Sequence, residues 1–391
     1  MTALKTMTLD QCCTIVSGAT PKTSVKEYWD GDIFWTTPKD LSNLETHYLE
    51  DTPRKITQQG LASCGASVLP ASSVLFSSRA PIGHVAINAV PMATNQGFKS
   101  FIPKTGILDA KFLFHWLRKN KTFLESLGNG ATFKEVSKAT VARIEINLPP
   151  IPEQRRIAAI LDQADALRAK RREALAQLDS LTQSIFIEMF GNPVTNPKSW
   201  MMQPFSEVCE TRLGKMLDAR QQTGQDKRRY LRNANVQWFR IDLFDLLEMD
   251  FDSNARETFN LKKGDLLICE GGEPGRAAVW QGQLDDVYFQ KALHRGRAKV
   301  GIANPEYLVW LLWFLAHSGG LGDHVTAATI AHLTGEKLKA MPIPVPPLPL
   351  QQTFATRIQS VEALKTTHRA ALQELDRLFA SLQHRAFQGE L

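Results

Sequence analysis

The residues of this 391-residue chain that could do chemistry are few, and their spacing argues against bond making. GATPKTS, starting at Gly18, gathers a lysine and hydroxyls as a phosphate loop does, but no glycine precedes the lysine, so GxxxxGK[ST] is not met. Asp265 and Glu270 follow a strand-like run, as the carboxylates of a metal nuclease do, yet no lysine lies two residues beyond Glu270; exposed turn carboxylates are the better reading. Gly319, Gly320 and Gly322 read as turn or packing glycines. The nine histidines include no HExxH pair, and the five cysteines (12, 13, 64, 209 and 269) form no CxxC. An amino-methyltransferase would need Asp or Asn before Pro-Pro-aromatic to hold a flipped base, whereas the Pro-Pro pairs here follow Leu148 and Val345. The expectation is a chain that catalyses nothing alone and binds no cofactor or metal.

Composition bounds the elements that carry these residues. Charged residues are 22% and the AVILMFWYC set 43%, which fits neither a disordered nor a membrane protein. The longest apolar run, Tyr307 to Ala316, is about half of what a bilayer helix needs. No export signal is legible and the cysteines cannot all pair, so a reducing cytoplasm is expected. Net charge is +6, with 16 basic against 12 acidic residues in 1–150 and near balance elsewhere, so charge alone barely raises the prior for nucleic-acid binding.

The informative feature is a duplication. A shift of 197 residues lays INLPPIPEQ (from Ile146) on IPVPPLPLQ (from Ile343), and ADALRAKRREALAQLDSL on VEALKTTHRAALQELDRL; over residues 146–192, 16 of 47 positions are identical. Upstream, SVLFSSRAPIGHVAI (from Ser73) is similar to GDLLICEGGEPGRAAV (from Gly264), with Gly83 and Gly275 each after a strand-like run; DAKFLFHWL corresponds to NPEYLVWLLWFL. Each half reads as a mixed α/β globule, a proline strap and a long helix. The expected class is therefore α+β: globules at 1–150 and 193–342, and helical spacers at 151–192 and 343–391, with a pseudo-twofold relating the halves.

In heptad terms the a positions are Ile157, Ala164, Arg171, Leu178 and Ile185, and the d positions are Ile160, Leu167, Ala174, Leu181 and Glu188. The shift gives Phe354, Val361, His368, Leu375 and Leu382 at a, and Arg357, Leu364, Ala371, Leu378 and Arg385 at d. An antiparallel coiled coil is expected, with Arg171 and His368 either fixing register or reaching solvent. Such a pair could be a ruler between two DNA half-sites, or an ordinary helical hairpin or oligomerisation coil.

LPPIPEQRRIAAILDQADALRAKRREALAQLDSLTQSIFIEMFGNP (148–193) resembles the central region of the specificity subunits of Type I restriction-modification enzymes. So do 17–41, 74–87, 93–103 and 129–154 of the first globule, while 219–243 of the second resembles a variant of the pattern. The resemblance implies two target recognition domains, each reading half of an asymmetric bipartite sequence in double-stranded DNA. It implies docking of two modification (methyltransferase) subunits on the helices and recruitment of restriction (nuclease-translocase) subunits, with S-adenosylmethionine, ATP and magnesium on those partners. Leu350 and Gln352 stand where the first repeat has Glu153 and Arg155, so the second helix departs from the pattern. A coiled-coil adaptor whose globules bind protein is the alternative reading.

Base edges are read by directional donors and acceptors: Arg for guanine, Asn or Gln for adenine, hydroxyls for either. Loops carrying them include Thr20, Lys22, Ser77, Ser78, Arg79, Asn95, Gln96 and Lys99 in the first half. In the second they include Arg228, Arg229, Arg232, Asn233, Asn235, Arg276, Gln290, Lys291, Arg295 and Arg297. Arg79, Gln96, Arg276 and Gln290 are the foremost candidates, in corresponding loops. Lys22, Lys99, Lys134, Lys291, Arg295 and Arg297 could contact phosphate, which positions without specifying; solvated surface is the plainer role for the lysines. Trp35 and Trp238 occupy similar places in the two halves and read as core.

Overall fold

The computed structural model describes residues 4–42, 44, 46–79, 81–129, 134–218, 222–324 and 332–391. Parts of the quoted segments 129–154 and 219–243 thus lie outside the described residues. The chain folds as two compact units, Met1–Arg172 with Ala370–Leu391, and Glu173–Arg369. Linear order is broken because each unit takes the start of one long helix and the end of the other.

In the first unit, strand Lys5–Thr8 pairs antiparallel with Glu145–Leu148, zipping the globule's entry to its exit just before the helix. A five-stranded sheet runs in the order Cys13–Ser17, Lys99–Pro103, Val74–Phe76, Val85–Asn88, Tyr48–Leu49, beside a three-stranded sheet of Arg54–Ile56, Trp29–Thr36 and Met92–Thr94. The apolar run Val74–Phe76 is buried throughout, as a central strand demands. Helix Ala110–Lys119 begins at Asp109, whose carboxylate accepts from the amides of Lys111 and Phe112. Its apolar face joins Ile157, Ala158 and Leu161 in the core.

The second unit repeats this frame. Met202–Pro204 pairs with Pro342–Pro344, Cys209–Leu213 with Leu293–Ala298, Leu266–Cys269 with Ala277–Val279, and Lys227–Leu231 runs parallel to Val287–Phe289. Helix Pro305–His317 is capped by Asn304. Gly83 and Gly275 hold equivalent turns at φ of 94° and 85°, which explains why both halves keep glycine there. Gly18 and Gly214 face a carbonyl so closely that a Cβ would lie 2.0 Å from Asn95 O and 2.3 Å from Gln290 O. Close approach therefore explains Gly18, and no phosphate loop is needed to account for it.

The long helices, Ile151–Phe190 and Leu348–Gln388, have 40 and 41 residues, roughly 60 Å each at 1.5 Å per residue. One glutamine in each proline strap fixes where they start. Gln154 Oε1 accepts from the Asp109 amide, and its Nε2 donates to Ile107 O and Pro149 O, all at 2.9 Å. Gln351 makes the same three bonds to the Asn304 amide, Ile302 O and Pro346 O. Both side chains are buried, so the repeated Pro-Pro-x-Pro-x-Gln pattern is a clamp joining each long helix to the helix cap of its globule.

Within each unit the helices run antiparallel, with Arg168 on Asp376 in the first and Lys365 on Asp179 in the second, at 2.6 and 2.9 Å. These are the same positions under the 197-residue shift, and Asp165 and Glu362 brace the two cations at equivalent places. The seam corrects one row of the heptad reading. Ile157, Ala164, Phe354 and Val361 are buried as a positions, and Arg171, Leu178, His368, Leu375 and Leu382 are half-buried. The facing row lies four residues on, at Leu161, Arg168, Leu175, Thr182 and Met189 and at Ile358, Lys365, Leu372, Phe379 and Ala386. Ile160 is only half-buried, and Leu167, Leu181, Leu364 and Leu378 are exposed. At the base of the second unit, Phe186, Phe190, Tyr307, Phe314 and Phe354 form one aromatic cluster. Each of the buried phenylalanines contributes on the order of 2–3 kcal/mol.

Candidate nucleic-acid interface

Strand ends and turns bring several predicted residues of the first unit onto one edge. Thr20 donates its hydroxyl to Gln96 Oε1. Gly97, beside Gln96, accepts from the Ser78 amide at 2.7 Å, which sets Arg79 next to that pair. Arg79 Nε donates to Glu135 Oε2 at 2.7 Å, and exposed Lys134 adjoins Glu135. Lys22 is exposed on the loop from Thr20, its carbonyl receiving the Trp29 indole N–H. Thr20, Lys22, Arg79, Gln96 and Lys134 therefore form a polar edge, on which Lys22, Arg79, Gln96 and Lys134 are exposed donors.

Other candidates prove to be scaffolding. Ser77 and Ser78 are fully buried: Ser77 Oγ donates to Pro81 O and accepts from the His84 amide, and Ser78 Oγ donates to Gly97 O. Asn95 uses its carbonyl to accept from Gly97 N. Lys99 is buried and its ammonium lies 3.1 Å from Glu135 Oε1, so it is spent on that carboxylate and is withdrawn as a phosphate contact. Burial pushes the Glu135 carboxyl up, but the hydrogen bonds from Arg79 and Lys99 outweigh it and hold it below the usual carboxylate range.

In the second unit Asn235 is buried and turns the chain by donating to Asp242 O and Asp245 O, so it too is withdrawn. Arg295 is buried, bonded to Thr258 O and set against Phe289, and burial lowers its basicity. Arg297 grips Asp265 through two bonds of 2.7 and 2.8 Å. Asp265 is thus a buried partner for arginine and not the exposed turn carboxylate expected. Arg228 pairs with Asp286 and Arg232 with Asp245. Asn233 donates to Gly271 O, while Arg276 bonds Asn233 O and Glu273. Arg229 and Lys291 are exposed and Gln290 half-exposed, and these three are the freest donors of the set.

Strand register also corrects the tryptophan equivalence. Trp35 faces Ala93 in its parallel pair and Tyr230 faces Tyr288 in the matching pair, so Tyr230 is the counterpart of Trp35. Trp238 sits elsewhere, its indole N–H on Glu273. Nor do Arg79 and Arg276 coincide: their loops correspond, but Arg276 matches His84, because Ser77 N bonds His84 O as Cys269 N bonds Arg276 O.

Sequence reading missed a charge cluster where the first globule meets its helix. His47 Nε2 and Arg118 both bond Asp165 Oδ2, at 2.9 and 2.7 Å, and His115 and Lys111 both bond Asp162 at 2.7 Å. Ligand atoms of His47, His115 and Asp162 lie within 4.8 Å of one another. Lys111, Arg118 and Arg168 already neutralise both carboxylates, so the cluster is built as an ion-pair joint. Burial alone would raise the Asp165 carboxyl, but bonds from His47 and Arg118 hold it well below the usual range. Its stabilisation is therefore present above the ordinary aspartate value of 3.8 and lost as pH falls through the lower folded one. Burial lowers His47, yet its bonds to Asp162 and Asp165 raise it overall, so its contribution is full below the ordinary histidine value of 6.5 and fades as pH rises through the raised one. Asp165→Asn is expected to cost about 2 kcal/mol at neutral pH. Denaturant melts should show that gap narrowing as pH falls toward the folded-state carboxylate value; a pH-independent difference would contradict the assignment.

A duplicated frame of sheets on antiparallel helices, with polar edges that differ between the copies, defines a two-headed recognition scaffold. The chain belongs to the Type I restriction modification DNA specificity family, whose domain matches residues 1–177 and again 197–377. It is 28% identical to the Type I restriction enzyme MjaIX specificity subunit of Methanocaldococcus jannaschii, over 96% of this chain and 91% of that one. It is 29% identical to the EcoR124I/EcoR124II specificity subunit of Escherichia coli over 42% of each. In fold it is similar to the S subunit of a Type I restriction-modification system from M. genitalium, with a TM-score of 0.58 at 14% identity over 99% of this chain and 96% of that one. A chain from a study of complex assembly and conformational transition of the type I R-M system gives a TM-score of 0.62 at 19% identity, over 99% and 98%. No described helix is long and apolar enough to cross a membrane.

Proposed function

We propose that this specificity subunit reads an asymmetric, bipartite double-stranded DNA sequence, one half with each globule, and makes or breaks no bond itself. The observation that carries this is a duplicated scaffold with non-duplicated edges. Strand pairings, glutamine clamps and cation–aspartate pairs recur, whereas Arg79, Thr20 and Gln96 have Gly271, Met216 and Lys291 as counterparts. Two like frames with unlike donors suit a site whose halves differ.

The helices set the unread gap between the half-sites and dock the modification subunits. Leu167 and Leu378 are exposed in the first unit, level with the Arg168–Asp376 pair, and Leu181 and Leu364 are their repeat counterparts in the second. One apolar spot per unit fits two copies of one partner. Methyl transfer with S-adenosylmethionine, and ATP- and magnesium-dependent cleavage, then belong to the modification and restriction subunits.

Exchange of residues 1–150 for the first globule of another family member tests the reading. Mapping of methylated sites, with the modification subunit present, should show one half-site replaced and the other kept. Change in both halves would sink the two-reader model, and methylation by the purified chain alone would sink the non-catalytic one.

A further inference from the structure

We propose that Arg79, Glu135 and Lys99 form a guanine-reading triad peculiar to the first unit; this rests on the DNA-reading function above. The Arg79 guanidinium is bound through Nε, to Glu135 Oε2. Among the described residues no protein group takes its two terminal nitrogens, and the side chain is 45% exposed. The free edge of the guanidinium therefore presents paired N–H donors, which match O6 and N7 of guanine in the major groove.

Glu135 is a positioning residue. Its backbone is fixed by mutual hydrogen bonds with Asn129 at 3.0 and 2.9 Å, and the next amide, Val136 N, bonds Ser78 O, so carboxylate and arginine are carried on adjoining segments. Lys99 supplies the charge balance. Without it, Glu135 would cancel the Arg79 charge and leave a neutral pair to face the polyanion; with it, the triad keeps one net positive charge.

The second unit shows that the fold does not need the triad. There Gly271 and His332 make the backbone bridge that Arg79 and Glu135 make in the first, and Leu333 N bonds Glu270 O as Val136 N bonds Ser78 O. Strand register places His294, opposite Leu213, where Lys99 stands opposite Ser17. All three members are thus replaced together while the frame survives, as expected of a recognition set.

The test uses the full chain assembled with its modification subunits, with sequence preference read by methylation of a randomised DNA library. The wild type should require a G·C pair at one position of one half-site. Arg79→Ala should cut discrimination there about 10- to 100-fold and leave every other position unchanged. Arg79→Lys should do the same, because a lysine replaces a phosphate contact but not a paired donor. Glu135→Gln should lower discrimination at that position alone. Placing 7-deazaguanine there should impair the wild type and not Arg79→Ala. Uniform weakening across all sequences, rescue by lysine, or an unaffected Glu135→Gln profile would overturn the triad while leaving the DNA-reading function in place. A wild-type assembly with no sequence preference would instead overturn that function.

Discussion

Glutamate at both Leu167 and Leu378 should lower the number of modification subunits bound per chain from two to one. Both leucines are about half exposed on the outer side of the helices of the first unit, so the substitutions remove no core contact. Folding should survive, with helical circular dichroism and melting temperature unchanged. Each leucine, already half-buried, gains about 0.8–1.5 kcal/mol more when a partner covers it, and a carboxylate in its place adds a desolvation cost. Together these predict a loss of affinity on the order of 100- to 1,000-fold at that spot. The same change at Leu181 and Leu364 should release the other copy, and all four should leave the chain unable to support methylation. Native mass spectrometry of the mixed subunits checks the counts. Two subunits retained by the Leu167/Leu378 variant, or both lost, would refute one spot per partner.

Alanine at Gln154 is expected to destabilise the first unit strongly. The buried amide makes three hydrogen bonds, and its removal strands the Asp109 amide and the carbonyls of Ile107 and Pro149. Unsatisfied buried groups cost about 1–3 kcal/mol each, and partial hydration of the vacated space reduces the sum to about 3 kcal/mol. For a unit of this size that lowers Tm by roughly 6–12 °C. Gln351→Ala should act equally on the second unit, since its bonds are the same. Gln154→Glu should recover little, because a carboxylate accepts from Asp109 N but cannot donate to the carbonyls. Scanning calorimetry decides the matter: an unchanged transition in either alanine variant would show that the clamp is not what holds helix to globule.

Much of the architecture was legible in the residues because it rests on local or repeated signals. The proline straps mark the helix starts, Gly83 and Gly275 mark the matching turns, and the 197-residue shift marks the duplication. The interface was less legible. Ser77, Ser78, Asn235, Arg295 and Lys99 have the right chemical types, yet each is buried and spent on the protein's own groups. Nothing in composition distinguishes a hydroxyl that turns the chain from one that faces a base. The joint of His47, His115, Asp162 and Asp165 was missed because its members are far apart in sequence and meet only when helix Ala110–Lys119 packs on the first long helix.

The sequence by itself determined that this chain is a duplicated, two-globule specificity subunit without catalytic motifs, because repeats and motifs survive as spacing. Only the tertiary structure decided which row of each long helix faces inward. Periodicity favoured the leucine row of Leu167, Leu181, Leu364 and Leu378, since leucine is apolar and Arg168 and Lys365 are charged. The fold turns that choice around, as Asp376 and Asp179 stand opposite those cations and make their burial tolerable. The leucines are left outside, where a partner can cover them.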